Sequence, residues 1–346
     1  MRPQRTLDLP PSDGLKIVRK PLPHDSAARH VQGNAPYVDD LPEPIGTLHV
    51  APGYHPTLAH GRIRAVDLSA VMAAPGVVDV ITAADIPGRN DCAPVPPGGD
   101  DPIFATDLIE FHGQVIFADI ASTRDAARRA ARLATIEADP LEPAVDVADA
   151  LERDLKLQPD YAFRRGDARA AIAAAPLRHE APLRVGGQEH FYLEGQVSLV
   201  VPGEGGEMHV HCSTQHPTEV QHTLAAALGV PDAWITVETR RMGGGFGGKE
   251  SQAAQWAAIA AIAAKVTGRP VKIRLDRDDD FILTGKRHDF LIEQAIGFDA
   301  DGKILGYDAI FAARCGYSND LSLGICDRTM FHADKSYWLT ATTIAT

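Results

Sequence analysis

Five glycines fall within seven residues in the run Met242-Gly243-Gly244-Gly245-Phe246-Gly247-Gly248-Lys249-Glu250, and this is where the chain is best equipped to hold a large polar ligand. A backbone stripped of side chains lets such a ligand come close. It also supplies left-handed positions and turns bare N–H groups toward an anion. The same run also suits a tight turn packed against a sheet, but the lysine and glutamate at its end favour a ligand loop. Two elements must position it. The alternating, β-branched stretch Trp234 to Arg240 predicts a strand, and the alanine- and isoleucine-rich stretch Gln252 to Val266 predicts a helix. Strand, glycine loop and helix start together cradle phosphate groups in many proteins.

Gly243, Gly248 and Lys249 fit the spacing of a P-loop, the glycine loop of many nucleotide-binding proteins. Glu250 breaks the pattern, since it stands where a serine or threonine hydroxyl should hold magnesium. Thr236, Glu238 and Arg240 also make the preceding strand half-exposed, unlike the buried parallel strand of such folds. A P-loop-like nucleotide binder is therefore a remote alternative.

The 346 residues, 45% hydrophobic and 23% charged, suit a globular protein of more than one domain. A net charge of −12, from 34 basic and 46 acidic residues, argues against nucleic-acid partners and against anionic membranes. No apolar run approaches a membrane span and the N-terminus lacks a signal-peptide core, so a cytoplasmic location is expected. Cys92, Cys212, Cys315 and Cys326 are isolated, which leaves no iron–sulfur or zinc-knuckle spacing; any redox cluster belongs to another chain. The fourteen histidines show no zinc-hydrolase grouping.

The organisation is α+β. Residues 1–20 read as a flexible tail, 21–145 as a first domain, 146–163 as an acidic, proline-punctuated linker, and 164–346 as a second domain. Predicted elements include strands at Gly76–Thr82 and Gln114–Asp119 and a helix at Thr123–Ala134. A hairpin pairs Val197–Val201 with Met208–Cys212. That hairpin ends at Ser213-Thr-Gln-His216, followed by Pro217 and a helix through Leu228. Ligands of α/β sheets usually sit at such strand ends.

Five blocks in order resemble one family: Lys20–Asp25 with Tyr37–Leu41, Gly186–Glu194, Ser213–His216, Met242–Glu250 and Gly285–Phe290. They are similar to the molybdopterin-binding large subunits of bacterial xanthine dehydrogenases, within the xanthine oxidase family of molybdenum hydroxylases. The resemblance implies an N-terminal α/β hammerhead-type domain followed by the first, incomplete part of a mixed α/β molybdopterin-binding domain. It also implies molybdenum-molybdopterin on this chain, with FAD and 2Fe-2S clusters on a partner subunit.

The family pattern further implies site roles. Gln215 resembles a glutamine beside the metal's oxo ligand, a neutral donor that does not titrate. Phe246 and Gly247 resemble residues touching the metal centre, the ring excluding water and the glycine admitting the cofactor. Glu250 resembles a glutamate that hydrogen-bonds the purine. Arg328, in Cys326–Phe331, resembles the arginine opposite it, binding a purine carbonyl and stabilising negative charge on the ring. Glu250 and Arg328 are thus the expected catalytic and substrate pair, facing each other across one cavity with Gln215 and Phe246 deeper in it. The implied reaction is oxidation of hypoxanthine and xanthine to urate, with electrons passing to iron–sulfur clusters, flavin and NAD. Gln188 and Glu189 read as supporting structure.

Large subunits of this family are commonly more than twice as long as this chain. The resemblance implies a partial catalytic set. The family's general base and much of its pterin pocket are missing, as in a truncated reading frame, a fragment, or one piece of a split subunit completed by a C-terminal chain, so the chain alone should hold little cofactor and not oxidise xanthine. A non-catalytic binding or assembly module is the alternative.

Overall fold

A computed structural model describes residues 14–346. The tail expected at 1–20 therefore lies outside the described residues over 1–13; residues 14–20 form turns and bends. Two compact units divide at Pro36 and Tyr37. The first carries one short helix, α1 (Ala27–Val31).

The second unit, Tyr37–Thr346, holds all the strands among the described residues. They are β1 (Leu48–Tyr54), β2 (Gly61–Asp67), β3 (Val77–Thr82), β4 (Leu108–Ile109), β5 (Val115–Ala121), β6 (Thr135–Pro140), β7 (Ala162–Arg165) and β8 (Leu177–Val185). There follow β9 (Val197–Pro202), β10 (Met208–Cys212), β11 (Ile235–Glu238), β12 (Val271–Arg274), β13 (Phe290–Phe298), β14 (Ile304–Ala313) and β15 (Thr342–Ala345). Its helices are α2 (Ser69–Met72), α3 (Arg124–Ala131), α4 (Val147–Glu152), α5 (Ala168–Ala174), α6 (Pro217–Leu228), α7 (Ala253–Thr267), α8 (Arg277–Leu283) and α9 (Ser322–His332).

A seven-stranded mixed sheet runs β11-β10-β9-β12-β1-β5-β3, so strands from both halves of the sequence share one sheet. The crossing point is the parallel pair β1 and β12, with Leu48 opposite Val271 and Val50 opposite Ile273. A five-stranded sheet, β7-β15-β14-β13-β8, and a three-stranded one, β4-β2-β6, complete the unit. The interval 146–163, expected as a linker, carries α4 and the first strand residues of β7.

The expected α+β class is what forms, and local chemistry explains the elements. Thr123 caps α3 by accepting a hydrogen bond from the Ala126 amide. Every residue of α7 from Trp256 to Ala264 is buried, as a helix apolar on all sides must be. Its alanines let it lie close on β9, β10 and β12 beside α6, and these elements share the largest core with Val200, Val210 and Leu224. α6 begins on Pro217, whose missing N–H costs nothing at that position. β11 is an edge strand, which accounts for its half-exposed pattern. No described helix is long and apolar enough to cross a membrane.

Asp119 is a polar exception in β5, whose residues are all buried, and neither carboxylate oxygen has a hydrogen-bond partner. Burial pushes its pKa up to about 8. A carboxyl whose folded pKa is raised stabilises fully below its unfolded pKa, near 4, and that contribution is lost as pH rises through about 8. Asp119→Asn should therefore raise the thermal midpoint at pH 9, with the advantage shrinking toward pH 4. Thermal melts of the two proteins giving equal differences at both pH values would contradict a buried neutral carboxyl.

Candidate active site

β10 and β11 are parallel neighbours, with Val210 opposite Val237 and His211 opposite Glu238. Their carboxyl ends therefore open on the same edge, where the Ser213–Gln215 turn meets the glycine loop. The Gln215 amide N–H donates to the Lys249 carbonyl (2.8 Å), and its side-chain Oε1 accepts from the amides of Gly247 (2.8 Å) and Lys249 (3.3 Å). With Oε1 occupied, Nε2 is left to donate outward. The contact depends on glycine: a Cβ on Gly245 would stand 2.4 Å from Gln215 Oε1.

Gly244 and Gly247 adopt φ of +102° and +95°, and Phe246 adopts φ +56°, a conformation uncommon for an aromatic residue. The residue is 69% exposed. Backbone strain at such a residue usually accompanies a positioned functional group. The amides of Gly244, Gly245 and Phe246 make no hydrogen bond among the described residues. Consecutive unpaired amides beside an exposed ring and an outward glutamine NH2 fit a polar, oxygen-rich group such as a pterin phosphate or an oxo ligand.

Beneath the loop lies a knot of charges that sequence reasoning missed. Lys249, the apparent P-loop lysine, is fully buried and turned inward. Its Nζ donates to the Glu194 carbonyl (2.6 Å) and to Ser213 Oγ (2.7 Å), stands 3.6 Å from the Glu194 carboxylate, and lies 4.6 Å above the Tyr192 ring. The Glu194 carboxylate accepts from Ser213 Oγ (2.7 Å) and from the amides of Gly243 (2.7 Å) and Val38 (3.2 Å). Burial lowers the Lys249 pKa to about 8, with Glu194 opposing the shift. An ammonium so enclosed cannot reach a phosphate, which removes the P-loop alternative. Gln196 and Tyr192 extend the network: Gln196 Nε2 donates to the Gly248 carbonyl (2.8 Å), and the Tyr192 hydroxyl donates to Asp280 (2.6 Å). The Gly186–Glu194 block carried Glu194 in plain view, but only contact reveals its partner 55 residues on.

Gln188 and Glu189 tie this region to the Gly285–Phe290 block. Arg287 donates to Gln188 Oε1 (3.0 Å), and Lys286 pairs with Glu189 (2.9 Å). Glu250, exposed at the end of the loop, lies within electrostatic reach of Glu219, which pairs with His216 (2.9 Å). Asp320, just ahead of α9, lies near Ser251, which stands beside Glu250. Arg328 is exposed, about 9 Å along α9 from its start. Among the described residues it makes no hydrogen bond or ion pair, and none joins it to Glu250. The structure thus gathers Gln215, Phe246, Gly247 and Glu250 around one loop, while Arg328 stands on a separate helix. A cavity of about 270 Å³ lies elsewhere, lined by Asp39, Glu43, His49, Val50, Arg124, Lys272 and Arg274, and includes none of the five expected site residues. Its Lys272 is already paired with Asp39 and Glu43, at 3.1 Å each.

Family comparison agrees with this architecture. Residues 152–346 match the molybdopterin cofactor-binding domain, and residues 32–142 match the a/b hammerhead domain of aldehyde oxidase and xanthine dehydrogenase. The chain belongs to the molybdopterin cofactor-binding domain family, and the hammerhead match accounts for about a third of it, ahead of that domain. It is 39% identical to xanthine dehydrogenase/oxidase of Gallus gallus over 321 residues and 39% identical to xanthine dehydrogenase of Oryza sativa subsp. japonica over 331. Each alignment takes in 92% of this chain and 23% of the relative, so the chain spans about a quarter of their length. The aldehyde oxidoreductase of Desulfovibrio gigas superimposes with a TM-score of 0.84 at 24% identity, over 93% of this chain and 37% of that one, a likeness of fold.

Lys249→Met should cost about 3 kcal/mol, because it leaves the buried Glu194 carboxylate without its cation. Gly245→Ala should cost roughly 1–3 kcal/mol by driving Gln215 from the loop. Urea unfolding of both variants checks this, and midpoints equal to the parent's would contradict the packing described.

Proposed function

We propose that this chain is part of a molybdenum hydroxylase that oxidises hypoxanthine and xanthine to urate, passing electrons to a partner subunit carrying 2Fe-2S clusters and FAD, and then to NAD. The observation that carries the reading is the seating of the Gln215 amide on Gly247 and Lys249 beside three unpaired loop amides and an exposed Phe246. Similarity to two xanthine dehydrogenases at 39% identity favours a purine substrate.

The bound molybdenum cofactor supplies the two-electron redox chemistry. This chain's part is placement and electrostatics. Gln215 Nε2 donates toward the cofactor without competing for the metal. The glycine loop admits the cofactor's polar atoms to its amides, and Phe246 sheds water from its edge. Glu250 accepts a hydrogen bond from a purine N–H. Arg328, with its guanidinium uncommitted, binds a purine carbonyl and stabilises negative charge gathering on the ring.

The test uses the assembled holoenzyme, with the remaining part of the molybdenum subunit and the flavin/iron–sulfur subunit present. Glu250→Gln and Arg328→Met should each lower kcat/KM for xanthine by about 10²–10³-fold, the scale of losing one transition-state contact, with molybdenum content unchanged by mass spectrometry. Gln215→Ala should lower activity toward xanthine and benzaldehyde alike. An assembled enzyme that turns over benzaldehyde and not xanthine would overturn the purine assignment.

A further inference from the structure

His209 and His211 alternate with the core residues Met208, Val210 and Cys212 along β10, so both imidazoles stand on the strand's opposite face. Parallel pairing sets His211 directly opposite Glu238 and His209 opposite Thr236, which brings the Glu238 carboxylate to the same face. The three side chains converge on one oxygen. Glu238 Oε2 lies 3.3 Å from His209 Nε2 and 3.7 Å from His211 Nδ1, with the imidazole centroids 4.6 Å apart. All three are partly exposed, and one ligand atom from each falls within 4.8 Å of the others.

We propose that His209, His211 and Glu238 form a divalent transition-metal site of the zinc class on the outer face of the β10–β11 edge, separate from the glycine-loop site. Zinc bonds imidazole nitrogen and carboxylate oxygen at about 2.0–2.2 Å, so adjacent ligand atoms around a tetrahedral ion stand about 3.4 Å apart. The two measured nitrogen-to-oxygen distances bracket that value. Two imidazoles select against calcium and magnesium, which take oxygen ligands, and leave water for the remaining position. A simple ion pair explains the arrangement less well. The hydrogen bond between His209 and Glu238 leaves His211 unengaged at 3.7 Å, whereas one cation serves all three groups. The other histidine–carboxylate pairs nearby, His216 with Glu219 and His222 with Asp232, are one to one. Among the described residues this is the one group of three whose ligand atoms meet.

The site would act as a clip. β11 is an edge strand paired only to β10 within its sheet, and the carboxyl ends of these two strands lead to Ser213–Gln215 and to the glycine loop. A metal bridging them fixes one relative to the other. That consequence follows from geometry and holds whatever reaction the loop serves.

The test is calorimetric titration of zinc chloride into the chelator-stripped chain. One equivalent should bind in the parent and in His222→Ala, whose side chain lies outside the cluster. Binding should weaken by about tenfold or more in His209→Ala, His211→Ala and Glu238→Gln, the range over which altering a metal's ligand environment is felt. Zinc should raise the thermal midpoint of the parent and of His222→Ala, and leave that of the His209→Ala/His211→Ala double variant unchanged. Since the cluster is surface-exposed, the zinc-free midpoints should agree among all of them. Zinc K-edge absorption should show two imidazoles per metal. Failure of the parent to bind, or undiminished affinity in the double variant, would overturn the site.

Discussion

An ammonium group held in the interior needs every one of its protons occupied, and Lys249 meets that requirement by gathering the segments around it. Removing a cation from water costs several kcal/mol even after the protein relaxes, so the charge persists only with close, well-directed acceptors. The Glu194 carbonyl, the Ser213 hydroxyl, the Glu194 carboxylate and the Tyr192 ring provide them. They come from two segments, Tyr192–Glu194 and the turn at Ser213. Glu194 in turn reaches the Gly243 and Val38 amides, so one buried pair fastens the start of the glycine run, the turn after β10 and the segment before β9. The loop above it can then present bare backbone without collapsing.

The division of labour within Lys249–Glu250 follows. Adjacent residues leaving a tight turn point in opposite directions, so burying the lysine exposes the glutamate. Glu250 meets a small acidic neighbourhood with Glu219 and Asp320, and His216 offsets part of it. Among the described residues no cation pairs with Glu250. That is the setting in which an N–H of a bound ligand gains most.

Local chemistry made much of the fold legible in advance. Alternation and turn residues marked the β9–β10 hairpin, the proline at 217 and its apolar periodicity marked α6, and the alanine run marked α7, because all of these are decided by neighbours within a few positions. The joining of β1, β5 and β3 to β12 in one sheet was not legible, since register between distant strands leaves no local trace. Lys249 misled for a related reason: its spacing from Gly243 fits a phosphate loop, while its direction is set by Glu194 and Ser213. The metal-capable trio was equally hidden, because His209 and His211 gain their carboxylate only from the neighbouring strand.

The pairing of Leu48 with Val271 has a temporal side. At translation speeds of about 5–20 residues per second, the ribosome takes roughly 10–45 s to travel from one to the other. Throughout that interval β1, most of whose residues are destined for the core, has one sheet edge with no mate. Closing so long a loop also slows the search once both strands exist. The nascent chain therefore carries an open sheet edge, a row of unpaired backbone N–H and C=O groups, until β12 emerges.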